Sequence, residues 1–203
     1  MKIFSAAFHS SSPDLGASPE SDLPEFAFIG RSNVGKSSLI NMLTRGEGLA
    51  KVSRVPGKTR LINFFTINNA WSLVDLPGYG YAKVGKKERG SFSAFVAEYL
   101  QRRPNLLGTF VLIDCRLSPQ KLDLEFLQWM VGCGLPFAIA FTKADKLTPK
   151  AADNNAAAFL TAMLEISGEQ PPFVITSSKL ATGRMEILDL IASAIGEEAE
   201  SPG

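Results

Sequence analysis

Residues 30–37 read Gly-Arg-Ser-Asn-Val-Gly-Lys-Ser, a spacing typical of a loop that binds phosphate. In such a loop, backbone N–H groups surround the α- and β-phosphates of a nucleotide, and glycines allow an approach that a Cβ atom would obstruct. Lys36 is expected to reach the β- and γ-phosphates, and the Ser37 hydroxyl to ligate Mg²⁺. The predicted phosphate-binding residues are Gly30, Arg31, Ser32, Asn33, Val34, Gly35, Lys36, Ser37 and Ser38.

The residues on either side of this loop have the pattern that the motif requires. The apolar run 26–29 predicts a short buried strand before the loop, and residues 38–43 continue as a helix after it. The N-terminus of that helix would face the phosphates, where its free N–H groups and dipole favour negative charge.

A second polar segment, Thr142-Lys143-Ala144-Asp145, follows the apolar strand at 136–141. The Asp145 carboxylate can accept hydrogen bonds from N1–H and the N2 amine of guanine, whereas adenine offers neither donor in that arrangement. Lys143 would lie along the base and steady the phosphate loop. The alternative is a strand that ends in a polar loop with a solvated Asp145. The occurrence of residues 142–145 downstream of the phosphate loop, in the expected order, favours a guanine pocket.

Residues 71–75 predict a buried strand that ends in Asp75-Leu76-Pro77-Gly78. Asp75 has the position of the carboxylate that holds Mg²⁺ through its coordination shell. The Gly78 N–H would bond the γ-phosphate and so sense whether it is present.

The polar segment before the strand at 61–67 is the candidate for a switch that responds to the γ-phosphate. Thr59 would place its hydroxyl on Mg²⁺ and its N–H on the γ-phosphate. The alternative is that Pro56 and Gly57 form only a tight turn before a strand. The residues predicted to contact the nucleotide here are Gly57, Lys58, Thr59, Arg60 and Leu61. Lys36, Thr59 and Gly78 are predicted to act on the reacting phosphate.

A last segment, Thr176-Ser177-Ser178-Lys179, ends the apolar strand at 173–175. Backbone N–H groups of Thr176, Ser177 and Ser178 would contact the guanine carbonyl oxygen. This segment is the weakest of the five signals on its own, and it gains weight from its place in the order.

Taken together, residues 25–41, 56–59 and 75–82 resemble the EngB/YihA family of bacterial GTP-binding proteins, within the TrmE-Era-EngA-EngB-Septin-like GTPases. The run Gly-Tyr-Gly-Tyr-Ala at 78–82 makes the likeness more specific than a generic GTPase match. The resemblance covers about residues 20–195. It implies GTP hydrolysis with Mg²⁺, assembly of the large ribosomal subunit, and a requirement in septation and cell division.

One departure from the Ras pattern bears on the expected rate. Tyr79 stands where Ras-type enzymes carry a glutamine that orients the attacking water, and a phenol cannot imitate that amide. Intrinsic hydrolysis should therefore be slow, about 10⁻⁴ to 10⁻³ s⁻¹. Arg31 and Arg60 are candidates for a stabilising arginine. Asn33 is a candidate ligand for K⁺, as in related GTPases, with support of a turn as the equal alternative.

Composition is consistent with one cytoplasmic domain. The chain has 203 residues, 45% of them hydrophobic, which suffices for one core. We expect a tail at 1–21, a single GTP-binding domain at 22–196 and a disordered tail at 197–203. No secretory signal or membrane span is expected, and the protein is expected to be a monomer. Cys115 and Cys133 are expected to be buried, reduced thiols.

Short apolar strands that alternate with amphipathic helices predict an α/β three-layer sandwich with a mostly parallel, six-stranded sheet, the fold of a P-loop GTPase. All five motifs would then lie at the carboxyl ends of the strands. Ser118-Pro119 and Thr148-Pro149 have the sequence of helix starts. The predicted strands are 26–30, 61–67, 71–75, 109–114, 136–141 and 172–176, and the predicted helices are 35–45, 88–102, 119–132, 149–166 and 183–196.

The net charge of +1 does not by itself indicate a nucleic-acid partner, but local basic clusters are consistent with ribosomal RNA. One cluster follows Gly78 and the other occupies the segment before residue 61. The alternative is two solvated loops. A nucleotide kinase or ATPase would have no use for Thr-Lys-Ala-Asp, and a membrane-bound switch would want a terminal cysteine for a lipid. The basic residues are Lys51, Arg54, Lys58, Arg60, Lys83, Lys86, Lys87 and Arg89.

Overall fold

The computed structural model describes residues 1–46, 61–79 and 94–196. Strands and helices alternate along most of this part of the chain. The strands are β1 (Ala6–Ser12), β2 (Glu25–Gly30), β3 (Ile62–Ile67), β4 (Trp71–Asp75), β5 (Leu106–Asp114), β6 (Phe137–Thr142) and β7 (Phe173–Ile175). The helices are α1 (Lys36–Thr44), α2 (Ala94–Arg102), α3 (Lys121–Gly132), α4 (Pro149–Ser167) and α5 (Arg184–Ile195).

The strands form one sheet in the order β1-β3-β4-β2-β5-β6-β7. The pairs β4-β2, β2-β5, β5-β6 and β6-β7 are parallel, whereas the pairs β1-β3 and β3-β4 at one edge are antiparallel. The carboxyl ends of β2, β4, β5, β6 and β7 therefore share one edge of the sheet, which is where ligands bind in open α/β folds.

Alternation of side chains along β2 explains the three layers. Ala27 and Ile29 contact a core formed with α2, α3 and α4, whereas Phe26 and Phe28 contact a core formed with α1 and α5. All six residues of β2 are buried, as expected of a central strand covered on both faces. The predicted three-layer α/β sandwich with a mostly parallel sheet is confirmed.

The predicted number of strands is wrong, since the described residues form seven strands instead of six. The additional strand is β1, within the segment 1–21 that was expected to be a tail. It pairs with β3 and has a bulge between Phe8 and Ser10. Most of its side chains are exposed, because an edge strand with one open face buries little apolar surface. Residues 197–203 lie outside the described part of the chain.

Two predicted helix starts had different outcomes. The Thr148 hydroxyl accepts a hydrogen bond from the Ala151 N–H at 3.3 Å, so Thr148-Pro149 does begin α4. Ser118-Pro119 does not begin α3, which starts at Lys121 after an extended Gln120 that makes no side-chain cap.

Two further predictions concern the thiols and the membrane. Both cysteines are free, as expected, but only Cys115 is buried. The prediction of a buried Cys133 is wrong, because this residue follows the last turn of α3, where the chain emerges at the surface. Among the described helices, none is long and apolar enough to cross a membrane.

Candidate functional site

The phosphate loop joins β2 to α1 through two residues in the left-handed region, Asn33 (φ 63°) and Gly35 (φ 111°). The Val34 N–H closes the turn on the Arg31 carbonyl at 3.1 Å. A Cβ atom at Gly30 would lie 2.7 Å from the Leu112 carbonyl oxygen, so glycine is required there. These constraints give the loop its concave path.

Helix α1 begins at Lys36 without a side-chain cap on its first turn. The first backbone N–H groups of a helix have no acceptor inside the helix. At the end of a glycine-containing loop, these groups and the helix dipole make a binding site for anions.

Lys36 and Asp75 contact each other directly through the ammonium group and one carboxylate oxygen. Asp75 is the last residue of β4 and is 5% exposed. Burial lowers the pKa of Lys36 to about 7. The negative charge of a nucleotide would favour the protonated ammonium group instead. The structure thus brings together the predicted phosphate-binding lysine and the predicted magnesium-binding carboxylate.

Gly78 lies against the phosphate loop. A Cβ atom at this position would be 2.5 Å from the Gly30 carbonyl oxygen and 3.4 Å from the Ser32 nitrogen. No other residue type could approach the loop so closely without displacing its backbone. The predicted sensor of the γ-phosphate is therefore next to the predicted phosphate-binding loop.

Thr142 and Lys143 attach the end of β6 to the phosphate loop. The Thr142 hydroxyl donates to the Val34 carbonyl oxygen at 2.6 Å. The Lys143 ammonium donates to the Asn33 carbonyl oxygen at 2.6 Å and to the Asp114 carboxylate at 2.8 Å. Lys143 thus steadies the loop, as the sequence suggested.

Asp114 is a residue of the site that the sequence analysis missed. It ends β5 and also accepts two hydrogen bonds from the Arg116 guanidinium, at 2.9 and 2.7 Å, and one from the Arg116 N–H at 3.2 Å. Burial alone would raise its pKa, but the hydrogen bonds from Arg116 and Lys143 outweigh burial and lower the pKa to about 2. The only signal in the sequence was a carboxylate at the end of an apolar strand, the same position that Asp75 has at the end of β4.

Asp145 lies in a short 3₁₀ turn after β6, with its side chain 10% exposed. The Ser177 hydroxyl donates to one Asp145 carboxylate oxygen at 3.0 Å. The neighbouring Thr176 is buried, and its hydroxyl donates to the Phe141 carbonyl oxygen at 2.9 Å. The two segments predicted to bind guanine are therefore in contact, and a hydrogen bond orients the carboxylate.

Tyr79 points into the protein. Its side chain is 2% exposed, its ring stacks on Phe126, and its hydroxyl donates to the Asp123 carboxylate at 2.9 Å. The same carboxylate oxygen lies 3.0 Å from Nε of Arg31 in the phosphate loop. Burial raises the pKa of Asp123, and the interactions with Tyr79 and Arg31 oppose that rise. In this conformation the phenol cannot orient a water molecule at the phosphates.

The residues fit a magnesium ion that is shared with a nucleotide. Mg²⁺ prefers oxygen ligands and commonly takes only one or two from the protein, with substrate phosphates and water completing its shell. The Ser37 hydroxyl and the Asp75 carboxylate are such donors, and Asp75 already contacts a positive charge. No cluster of three or more acidic, histidine or cysteine side chains occurs in the described residues, and a shared site needs none.

The fit to K⁺ is weaker. The backbone carbonyl of Asn33 accepts from Lys143, and the exposed Asn33 has a left-handed backbone that asparagine tolerates better than most residues. This geometry supports the alternative in which Asn33 serves the turn.

Of the residues predicted to contact the nucleotide before β3, only Leu61 lies within the described part of the chain, where it is 42% exposed. The others, Gly57, Lys58, Thr59 and Arg60, lie outside the described residues. The same holds for the remaining residues of the two basic clusters, Lys51, Arg54, Lys83, Lys86, Lys87 and Arg89.

A mostly parallel sheet that brings the phosphate loop, Asp75 and Asp145 to its carboxyl edge, in this chain order, has the architecture of a P-loop GTPase domain. Residues 25–143 match the model of a family described as "50S ribosome-binding GTPase".

Similar proteins narrow the class. The chain is 54% identical to "Probable GTP-binding protein EngB" of Porphyromonas gingivalis over 95% of this chain and 96% of the relative. It is 51% identical to the protein of that name from Bacteroides fragilis, over 99% of this chain and 100% of the relative. A crystal structure of "a probable GTP-binding protein engB" has the same fold, with a TM-score of 0.66 and 23% identity over 86% of this chain and all of that one. The chain belongs to the EngB family of GTP-binding proteins and is a GTPase.

Proposed function

We propose that the protein is a slow GTP-driven switch that acts in assembly of the large ribosomal subunit in the cytoplasm, with a further requirement in septation and cell division. Two observations support nucleotide binding: Gly78 lies against the phosphate loop, and Lys36 of that loop contacts Asp75. The ribosomal part is supported by the family description, which names 50S ribosome binding. The protein would act as a monomer, with its nucleotide-binding segments within residues 22–196 and strand β1 at the edge of the same sheet.

The phosphates would bind between the loop at 30–38 and Gly78. Lys36 would leave Asp75 and contact the β- and γ-phosphates. The Asp75 carboxylate would then be free to face a metal ion. Ser37, Asp75 and Thr59 would hold Mg²⁺, which supplies positive charge to the phosphate oxygens when bound. The N–H groups of Gly78 and Thr59 would contact the γ-phosphate, so both segments would respond to its loss.

The base would bind at the ends of β6 and β7. Asp145 would accept from both guanine donors, with its orientation fixed by Ser177. The backbone N–H groups of Thr176, Ser177 and Ser178 would face the guanine carbonyl oxygen. Lys143, held by Asp114, would cover one side of the nucleotide.

Hydrolysis by the isolated protein would be slow, because Tyr79 is turned inward and no glutamine follows Gly78. Asn33 is the residue that would hold K⁺ if the reaction proves to be faster in potassium than in sodium. A slow intrinsic rate is consistent with a switch whose hydrolysis is accelerated by a partner.

The test is co-sedimentation of the protein with purified large ribosomal subunits, in the presence of a non-hydrolysable GTP analogue or GDP. We expect association with the analogue and little with GDP. Thr59→Ala should keep GDP binding and lose the analogue-dependent association. Equal sedimentation in both nucleotides would contradict a GTP-dependent role on the ribosome.

A further inference from the structure

Asp123 connects two parts of the nucleotide site that are far apart in the sequence. It lies in the first turn of α3 and is 1% exposed. One of its carboxylate oxygens contacts both the Tyr79 hydroxyl, at 2.9 Å, and Arg31, at 3.0 Å. Tyr79 directly follows Gly78, and Arg31 belongs to the phosphate loop.

Packing alone does not account for this carboxylate. The Tyr79 ring is already held by its stack on Phe126, with ring centroids 4.4 Å apart and planes inclined by 19°. The second Asp123 oxygen has no hydrogen-bond partner within the described residues. Buried carboxylates that are only partly satisfied contribute little to stability, and apolar side chains of similar size often do as well.

The position of Gly78 indicates what the contact controls. The glycine lies between Asp75, which is fixed in β4, and Tyr79, which is fixed by Asp123. Its backbone already lies against the phosphate loop, since a Cβ atom on Gly78 would be only 2.5 Å from the Gly30 carbonyl oxygen. A group held in its binding position before the ligand arrives spares the cost of ordering it at the moment of binding.

We propose that Asp123 raises the affinity for GTP relative to GDP, by fixing Tyr79 to the phosphate loop and so holding the Gly78 N–H in position for the γ-phosphate. The proposal rests on the function proposed above, in which Gly78 contacts that phosphate. GDP lacks the γ-phosphate, so its affinity does not depend on Gly78. Loss of the Asp123 contact therefore weakens binding of GTP selectively.

The experiment compares the affinities of the parent and variants for GDP and for a non-hydrolysable GTP analogue, both with Mg²⁺. Asp123→Asn keeps the size of the side chain and removes its charge. Ordering one residue on binding corresponds to about fivefold to thirtyfold in affinity. We expect Asp123→Asn to lose about fivefold to tenfold in analogue affinity, near the lower end because one hydrogen bond can remain. Affinity for GDP should stay within about twofold.

Tyr79→Phe provides a second variant that retains the stack on Phe126 and removes only the hydroxyl. It should show the same selective loss to a smaller degree, and it allows the test if Asp123→Asn does not fold. Glu125→Gln is the matched control, since Glu125 lies on the same helix and pairs only at 3.7 Å with the exposed Lys121. This control should leave both affinities unchanged.

The outcomes separate this inference from the function on which it rests. Equal losses for both nucleotides, or no loss for either, in a folded Asp123→Asn or Tyr79→Phe variant would overturn the role of Asp123. A parent protein that binds neither nucleotide would overturn the proposed function itself.

Discussion

At the scale of single residues, Asp145 is the side chain on which base choice is expected to depend. Asp145→Asn removes the charged acceptor of the two guanine donors but can still accept from Ser177. Affinity for GTP and GDP should fall about tenfold to a hundredfold, since hydrogen bonds to a charged group are worth about 1.5–3 kcal/mol. Affinity for xanthosine nucleotides should rise relative to GTP, because their C2 carbonyl suits an amide donor. Competitive binding assays measure both changes.

Asp153→Asn is the control for this experiment, because Asp153 is an exposed carboxylate on α4. It should bind GTP and GDP as the parent does. Unchanged GTP affinity in Asp145→Asn would remove Asp145 from the base pocket.

Asp114 gives the protein a specific dependence of stability on pH. Its pKa of about 2 in the folded protein is below the ordinary value of 3.8. The stability it contributes is thus present above pH 3.8 and is lost as the pH falls through about 2. Asp114→Asn should cost about 1–2 kcal/mol at pH 7 and progressively less toward pH 2. Urea unfolding at several pH values measures this difference, and a cost that is independent of pH would contradict it.

At the scale of elements, Arg184 shows how one helix supports another. It is the first residue of α5 and is 7% exposed. Its guanidinium donates to the carbonyl oxygens of Met42 and Leu43, at distances of 2.7–3.1 Å, in the last turn of α1. A cation is unfavourable at the start of its own helix and favourable at the end of another, so its energetic value lies in α1.

Arg184→Met should therefore destabilise the protein by about 2 kcal/mol, because buried carbonyl groups lose a charged donor. Arg102→Met is the control: this arginine is exposed at the end of α2, and its pair with Glu98 at 3.5 Å is worth little. Its cost should stay below about 0.5 kcal/mol. Equilibrium unfolding in urea compares the two, and equal costs would show that Arg184 does not cap α1.

At the scale of the whole molecule, the sequence predicted the elements whose pattern is local. The central strands are continuous apolar runs, and the motif residues follow the strand ends at fixed spacing. The strands and the motif residues could therefore be predicted from the sequence. Asp114 and Asp123 could not, because their importance comes from contacts with residues 29 and 44 positions away. Strand β1 was missed for a related reason, since its serine-rich sequence becomes a strand only through pairing with β3.

The N-terminal segment is accordingly expected to be part of the folded domain, and Asn68 offers a precise test. In the turn between β3 and β4, its side-chain oxygen accepts from the N–H groups of Phe4 and Ser5, and its amide donates to Lys2 O at 2.7 Å. Asn68 and Asn69 have almost the same left-handed backbone, with φ of 52° and 53°. Glycine accepts this conformation at either position.

Asn68→Gly should therefore remove three hydrogen bonds without backbone strain, whereas Asn69→Gly changes an exposed side chain in the same turn. We expect Asn68→Gly to cost about 1–2 kcal/mol more than Asn69→Gly in urea unfolding, and to speed hydrogen exchange in Ala6–Ser12. If residues 1–12 were a tail that contributes nothing to the fold, the two variants would have equal stability. The comparison thus measures how much of the stability of the molecule depends on a strand that the sequence pattern does not reveal.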